Sequence, residues 1–186
     1  MSKISRNDAW ELLNQYNKTD SLVKHALAVE GVMRHFARKY GADEDEWGVI
    51  GLIHDLDYEM YPDQHCTMTE KLLMEAGWPE DYIRAVLCHG YGLVNQIKPE
   101  TDVEKVLYTI DELTGLIGAA ALMRPSKSVG DIEVKSVMKK FKSPAFAAGV
   151  DRTVILNGCE MLGMTIQEVV DEVILGMRSV SDAIGL

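Results

Sequence analysis

The stretch IGLIHDLD at residues 50–57 places a histidine and two aspartates directly after an apolar run. The run is typical of the last turns of a helix, which would continue into His54 and Asp55. An imidazole and a carboxylate buried without partners cost roughly 2–7 kcal/mol by transfer estimates. A divalent metal ion bound to both side chains would satisfy them together. The stretch therefore predicts that other parts of the chain bring further metal ligands to this pair.

The composition indicates an ordinary globular domain. The chain has 186 residues, of which 47% are hydrophobic, enough to bury a sizeable core. Its 29 acidic and 19 basic residues give a net charge of −10, which argues against a nucleic-acid partner bound through the whole surface. Three cysteines without a CxxC pair favour a reducing compartment. No signal sequence or long apolar run is seen, so we expect a cytoplasmic protein without a membrane partner.

Helical periodicity dominates the chain, and no convincing strand or repeat interrupts it. We predict helices at about residues 5–16, 20–40, 43–55, 67–76, 79–89, 101–123, 151–161 and 165–180. The fold class is therefore all-α, a bundle of eight to ten helices. We expect a single domain over residues 1–186, with a core motif region at 20–125 and a C-terminal helical extension at 126–186.

The candidate ligands lie mostly on helix faces or at helix ends. In the helix at 20–40, His25 lies on the apolar stripe and should point inward. His35 is turned about 80° away from it at 3.6 residues per turn, so we expect it to face solvent. Singly, each candidate also has a structural explanation, such as a satisfied core histidine, a turn acid or a solvated helix residue. Their order along the chain is the stronger signal: His25, His54, Asp55, His65, His89 and Asp111.

The series His25…His54-Asp55…Asp111 resembles the HD-domain superfamily of metal-dependent phosphohydrolases. The resemblance covers about residues 20–125 and is strongest at residues 24–25, 51–55 and 108–113. It implies a helical core in which these four residues hold a divalent metal. The chain departs from the HDIG form of the motif, because Leu56-Asp57 replaces Ile-Gly. The conformation of the turn at these residues therefore does not follow from the motif.

The resemblance also implies a second metal. Members with two more histidines between the His-Asp pair and the last aspartate commonly hold two ions, and His65 and His89 match those positions. The second ion would be held by His65, His89 and a bridging Asp55, more weakly because fewer protein groups hold it. His and carboxylate ligands do not choose among Fe, Mn, Co, Ni, Zn or Mg, so the cofactor is one or two divalent ions.

The implied reaction is hydrolysis of a phosphomonoester or a nucleotide-type phosphoanhydride by metal-activated hydroxide. Asp55 and Asp57 are the candidate catalytic carboxylates, where Asp57 could orient the water or a ligand histidine, or could be a solvated turn acid. Arg124 and Lys127 are candidates for binding the substrate phosphate, or could form a solvated basic turn. The expected partner is a small phosphorylated substrate, for example a nucleotide, since the resemblance extends to HD-type hydrolases of dinucleoside polyphosphates, which show the same ligand order.

Two alternatives remain open at this point. Some HD-type proteins use the same ligands in a di-iron centre that activates oxygen, and the ligand types alone do not separate the two chemistries. The chain could also be a catalytically silent, nucleotide-binding regulatory module, although a purely structural role needs no open metal position.

Overall fold

The computed structural model describes residues 3–186, which form an all-α bundle without a β-strand. The ten helices of this part of the chain are α1 (Arg6–Tyr16), α2 (Asp20–Tyr40), α3 (Glu44–Leu52), α4 (Thr67–Glu75), α5 (Glu80–Leu87), α6 (Asp102–Leu122), α7 (Val134–Phe141), α8 (Arg152–Leu162), α9 (Ile166–Arg178) and α10 (Ser181–Ile184). Single turns of 3-10 helix lie at Pro62–Gln64 and Cys88–Gly90. The predicted fold class is confirmed. None of the described helices has the length and hydropathy that a membrane span requires.

Two helices of 21 residues, α2 and α6, pack against each other in the centre of the bundle. α2 ends at Gly41, whose φ of 64° is the left-handed conformation that glycine adopts without strain. α6 begins with a capping box between Thr101 and Glu104, which satisfies free backbone N–H groups of its first turn. The apolar faces of both helices are fully buried, for example at Phe36 and Leu107. Each such side chain stabilises the fold by roughly 1.5–3 kcal/mol relative to its exposure.

The C-terminal region packs directly on α2, the helix that carries His25. A Cβ at Gly31 would lie 2.6 Å from the side chain of Val180, and one at Gly176 would lie 2.7 Å from the Cα of Val32. Glycine at both positions therefore allows α9 to approach α2 closely. Helices α8 and α9 also contact α6, so the predicted extension is part of the same hydrophobic core.

The structure corrects the prediction for His35. Its Nε2 lies 2.6 Å from Oε2 of Glu172 on α9, and Lys39 donates to the other oxygen of the same carboxylate at 2.6 Å. His35 is only partly exposed. Its angle relative to His25 was predicted correctly, but α9 covers that face of α2, so the side chain does not point into solvent.

The helices differ from the prediction in two further respects: α3 is shorter, and one helix was not predicted. α3 ends at Leu52, and the following turns at 53–60 carry His54 and Asp55, which the prediction had placed within the helix. The stretch between the predicted helices at 101–123 and 151–161, where no helix was predicted, contains α7. Val137 and Phe141, four residues apart on α7, are buried, and the lysines of this helix point away from the core.

Candidate metal centre

Four of the predicted ligands meet where α2, α6 and the turn after α3 converge. Nε2 of His25 lies 2.9 Å and Nε2 of His54 lies 3.2 Å from Oδ1 of Asp111. Nε2 of His54 is also 3.4 Å from Oδ2 of Asp55. One donor atom from each of these residues lies within 4.8 Å of the other three. We call His25, His54, Asp55 and Asp111 the first donor group.

A second cluster lies beside the first. Nε2 of His65 and Nε2 of His89 are 3.0 Å apart, and Sγ of Cys66 is 3.9 Å from Nε2 of His89. All three donor atoms lie within 4.8 Å of one another. We call His65, Cys66 and His89 the second donor group. His65 and His89 were predicted as ligands, whereas Cys66 was not.

Asp55 lies between the two groups and directs one oxygen to each. Oδ2 faces His54 at 3.4 Å and His25 at 3.9 Å. Oδ1 lies 3.5 Å from Nε2 of His89 and 3.6 Å from Nε2 of His65. The carboxylate therefore has the orientation that the predicted bridging role requires.

Two histidines are oriented by the ends of the helices that precede them. Nδ1 of His54 donates to the carbonyl of Gly51 at 2.8 Å, and Nδ1 of His89 donates to the carbonyl of Val86 at 2.5 Å. These carbonyls lie in the last turns of α3 and α5, where helix carbonyls lack partners from the next turn. Because Nδ1 of each ring donates a hydrogen bond to a carbonyl, Nε2 is left free to bind a metal ion.

Asp57 orients the third histidine. It is fully buried, and its Oδ1 accepts a hydrogen bond from Nδ1 of His65 at 2.8 Å. Its Oδ2 accepts from the backbone N–H of Thr69 in the first turn of α4, also at 2.8 Å. The expectation of a solvated turn acid was wrong. Asp57 does not line the cleft described below, and its carboxylate holds the ring of His65, which is one of the two roles predicted for it.

The donor groups have strongly shifted pKa values. Burial lowers the pKa of His54, but the carboxylates of Asp55 and Asp111 outweigh burial and raise it to about 10. Burial raises the pKa of Asp111, but His54 and His25 hold it well below its usual range. For His65, the hydrogen bond to Asp57 outweighs burial and raises the pKa to about 9. The centre therefore combines anionic carboxylates with strongly basic imidazoles.

This donor set fits a divalent cation. Nδ1 is a donor in His54, His65 and His89, so their neutral rings carry the lone pair on Nε2. The Nε2 lone pairs of His65 and His89 would then face each other across 3.0 Å, which is unfavourable unless a proton or a cation lies near both. Two imidazoles bound at right angles to one ion, with bonds of 2.0–2.1 Å, are about 3 Å apart.

A cleft with a volume of about 390 Å³ opens onto both donor groups. Its other lining residues include Tyr58, Leu93, Val94, Glu112 and Val150. Tyr58 packs edge-on against the ring of His65, with ring centroids 5.3 Å apart. Glu112, which sequence reasoning did not single out, accepts from the backbone N–H of Asp151 at 3.1 Å. Burial, and then the charge of Asp111, raises the pKa of Glu112 to about 7.

Cys66 occupies an unusual backbone position between the third histidine and α4. Its φ of 67° lies where few residues other than glycine are found, a conformation that costs roughly 1–3 kcal/mol. Burial raises the pKa of its thiol, but contacts with His65 and His89 outweigh burial and lower it to about 6. The only sequence signal was its position directly after His65.

The structure does not bring Arg124 and Lys127 to this cleft. Leu122, the last residue of α6, lies about 17 Å along the helix axis from Asp111 at 1.5 Å per residue, and Arg124 comes after it. Its guanidinium donates to both carboxylate oxygens of Asp131, at 2.8 and 3.0 Å. Lys127 lies in the exposed turn that follows. Their placement gives no support to a role in binding substrate phosphate.

The comparison with protein families agrees with the fold. The model of the HD domain matches residues 22–116, more than half of the chain, so this protein belongs to the HD-domain family. The match includes all six predicted metal ligands. Searches of curated proteins and of solved structures found no match to the chain.

Proposed function

We propose that this protein is a metal-dependent phosphohydrolase that binds two divalent ions and cleaves a small phosphomonoester or nucleotide-type phosphoanhydride. The observation that carries the proposal is the position of Asp55, whose two oxygens face the two donor groups separately. A carboxylate with one oxygen toward each group can be shared by two ions. Two ions in such a site clamp the attacking and leaving oxygens of a displacement at phosphorus.

Bound ions would supply a water of lowered pKa and would neutralise the charge of the phosphoryl group. The chain's own residues orient the donors and shape the cleft. The carbonyls of Gly51 and Val86 and the carboxylate of Asp57 fix the three rings through Nδ1. Such outer hydrogen bonds typically change metal affinity or activity 10–100-fold when they are removed.

The charge of the cleft supports a role for cations in substrate binding. The described residues that line it include the carboxylates of Asp55, Asp111 and Glu112 but neither lysine nor arginine. A phosphate in this cleft would be repelled by the carboxylates unless bound cations offset them. Phosphate binding would therefore depend on the ions, and not on a basic patch of the protein.

The adjoining space bears on the size of the substrate. A second cavity of about 450 Å³ shares His25 and Gly115 with the cleft, and apolar residues such as Ala28, Met177 and Ile184 line much of it. A Cβ at Gly115 would meet no other atom within 4 Å, so the space beside this shared lining residue is open. A substrate with its phosphate at the donor groups has room here for a nucleoside-sized apolar group.

The test is reconstitution of the metal-free protein with Mg²⁺, Mn²⁺, Fe²⁺, Co²⁺, Ni²⁺ or Zn²⁺, followed by assay against phosphomonoesters and nucleotides. We expect turnover with at least one ion and its loss in Asp55→Asn. His35→Ala is the matched control, since it removes an imidazole from the same helix as His25 but outside the centre. Absence of phosphate release with every ion would contradict the proposal. Oxygen consumption by the iron-loaded protein, with a mixed-valent di-iron signal, would favour an oxygenase instead.

A further inference from the structure

Cys66 lies where it can take part in the second donor group. The thiol is only 3% exposed. Adjacent side chains in an extended segment point to opposite sides. The positive φ of Cys66 reverses the backbone locally, and both His65 and Cys66 direct their donor atoms toward His89.

The space for the sulfur depends on a glycine. A Cβ at Gly90 would lie 2.8 Å from Sγ of Cys66, closer than unbonded atoms approach. Gly90 directly follows the ligand candidate His89, and its lack of a side chain leaves room for the sulfur of Cys66. The 3-10 turn of Cys88–Gly90 thus presents His89 and accommodates the thiol at the same time.

The three donor atoms are close to the separations that one ion requires. For bonds of about 2.3 Å to sulfur and 2.0–2.1 Å to nitrogen, tetrahedral coordination places sulfur and nitrogen about 3.6 Å apart and two nitrogens about 3.3 Å apart. The observed separation of Sγ from Nε2 of His89 is 3.9 Å, and the two Nε2 atoms are 3.0 Å apart. Oδ1 of Asp55, 3.5 and 3.6 Å from these nitrogens, completes a set of four.

We infer that Cys66 is a thiolate ligand of the second ion, which makes the two metal positions chemically different. The inference rests on the metal centre of the proposed function but not on its substrate. The first donor group offers two imidazoles and two carboxylates, whereas the second offers two imidazoles and one thiolate. Oδ1 of Asp55, which faces both of these imidazoles, adds the shared carboxylate. Thiolate ligands favour Zn²⁺, Fe²⁺ and Co²⁺ over Mg²⁺ and Mn²⁺. The second position therefore selects the softer ion. Four protein groups would hold each ion. The earlier expectation that the second ion binds more weakly, because fewer groups hold it, then no longer applies.

Cobalt reports thiolate ligation directly, because a sulfur-to-Co²⁺ charge-transfer band appears in the near ultraviolet and imidazole or carboxylate ligands give none. The metal-free protein would be titrated with Co²⁺ while metal content and absorption are followed. We expect the band to accompany one of two bound equivalents in the wild type. It should be lost in Cys66→Ser and retained in Cys88→Ser. Cys88 is the matched control, since it precedes His89 but its thiol donates to the carbonyl of Ala85 at 3.0 Å.

A competition between Zn²⁺ and Mn²⁺ provides a second measurement. In Cys66→Ser the affinity of one site for Zn²⁺ should fall at least about tenfold, the smallest effect typical of losing even an outer partner. The affinity for Mn²⁺ should change much less. Wild-type protein that binds two Co²⁺ equivalents without the band, or a Cys66→Ser variant that keeps it, would overturn the inference. The wild-type spectrum remains decisive even where the variant does not fold.

These outcomes are independent of the proposed reaction. Phosphate release without the sulfur band would remove the inference about Cys66 and leave the phosphohydrolase intact. Observation of the band without phosphate release from any substrate would support Cys66 as a ligand and contradict the phosphohydrolase proposal.

Discussion

The two donor groups share Asp55 but are built from different kinds of structure. In the first group, His25 and Asp111 project from the two 21-residue helices at the centre of the bundle. In the second, His65 and His89 come from the turn before α4 and the turn after α5. Residues on packed helices are fixed by the core, whereas residues in turns depend on a few individual hydrogen bonds. The first position is therefore set mainly by the two packed helices, to which the turn after α3 adds His54 and Asp55. The second depends on local contacts such as that between Asp57 and His65.

The largest effect is expected where the groups meet. Asp55→Asn replaces one of the two facing oxygens by an amide that cannot bind a cation. We expect both ions to be lost or weakened and activity to fall by more than about 100-fold, beyond the usual effect of an outer-shell change. Metal content per chain and phosphate release measure this. If the variant kept one ion at wild-type affinity, Asp55 would belong to a single group.

Substitutions within each group should separate the two positions. His89→Ala should lower activity and remove about one metal equivalent while the fold survives, and His65→Ala should do the same. His54→Ala should affect the ion of the first group instead. The measurement is metal stoichiometry per chain, compared with the wild type. If wild type and His89→Ala each bind a single equivalent with equal affinity, there is one ion, and His89 is a positioning or structural residue.

A smaller effect should follow from loosening a turn without removing a ligand. Asp57 uses one oxygen for His65 and the other for Thr69, and an amide has only one acceptor. Asp57→Asn should therefore weaken the second metal position about 10–100-fold and leave the first within about twofold. Separate metal affinities from a titration would show this. Asp63→Asn, an exposed acid in the same loop, is the control, and an equal loss there would indicate a general charge effect.

The smallest effect is expected at the contact between α9 and α2, where Glu172 interacts with His35 and Lys39. Burial raises the pKa of Glu172, but Lys39 and His35 outweigh burial and lower it below 4.5. A lowered pKa adds stability that is present above about pH 4.5 and is lost as the pH falls through the pKa of the folded state. Glu172→Gln should cost about 1 kcal/mol of unfolding free energy at pH 7 and progressively less below pH 4.5.

Denaturant unfolding of the wild type and the variant at pH 7 and near pH 3 would test this dependence. Glu160→Gln, an exposed acid on α8, is the control. A difference that stayed constant across this range would show that the Glu172 carboxylate charge is not the cause.

Part of the first donor group was predictable because its signal is periodic. His25 shares the apolar stripe of α2, so its inward direction followed from helical geometry alone, and its Nε2 contacts Asp111. His35 was misjudged because the same geometry contains no information about α9, which comes more than a hundred residues later. The helix face was predictable, but what covers that face was not.

The second donor group was harder to predict because its residues lie in turns. His65 and His89 were assigned through the family resemblance, and no local pattern marked Cys66. The burial of Asp57 depends on where the first turn of α4 lies, a tertiary contact that no spacing of residues reveals. α7 was missed for another reason, since its three lysines masked the buried spacing of Val137 and Phe141.

The hydrogen bond from His54 to the carbonyl of Gly51 ties this imidazole to the last turn of α3, so changes in the length of α3 act directly on the metal centre. One residue added inside α3 before Gly51 would rotate Gly51 and His54 together by about 100° and advance them by 1.5 Å, so the imidazole would keep its carbonyl but would no longer face His25 and Asp111. The same residue added to the exposed part of the loop at 60–64 could be absorbed without moving a helix. Insertions and deletions should therefore be tolerated in that loop and excluded a few residues earlier, at the end of α3.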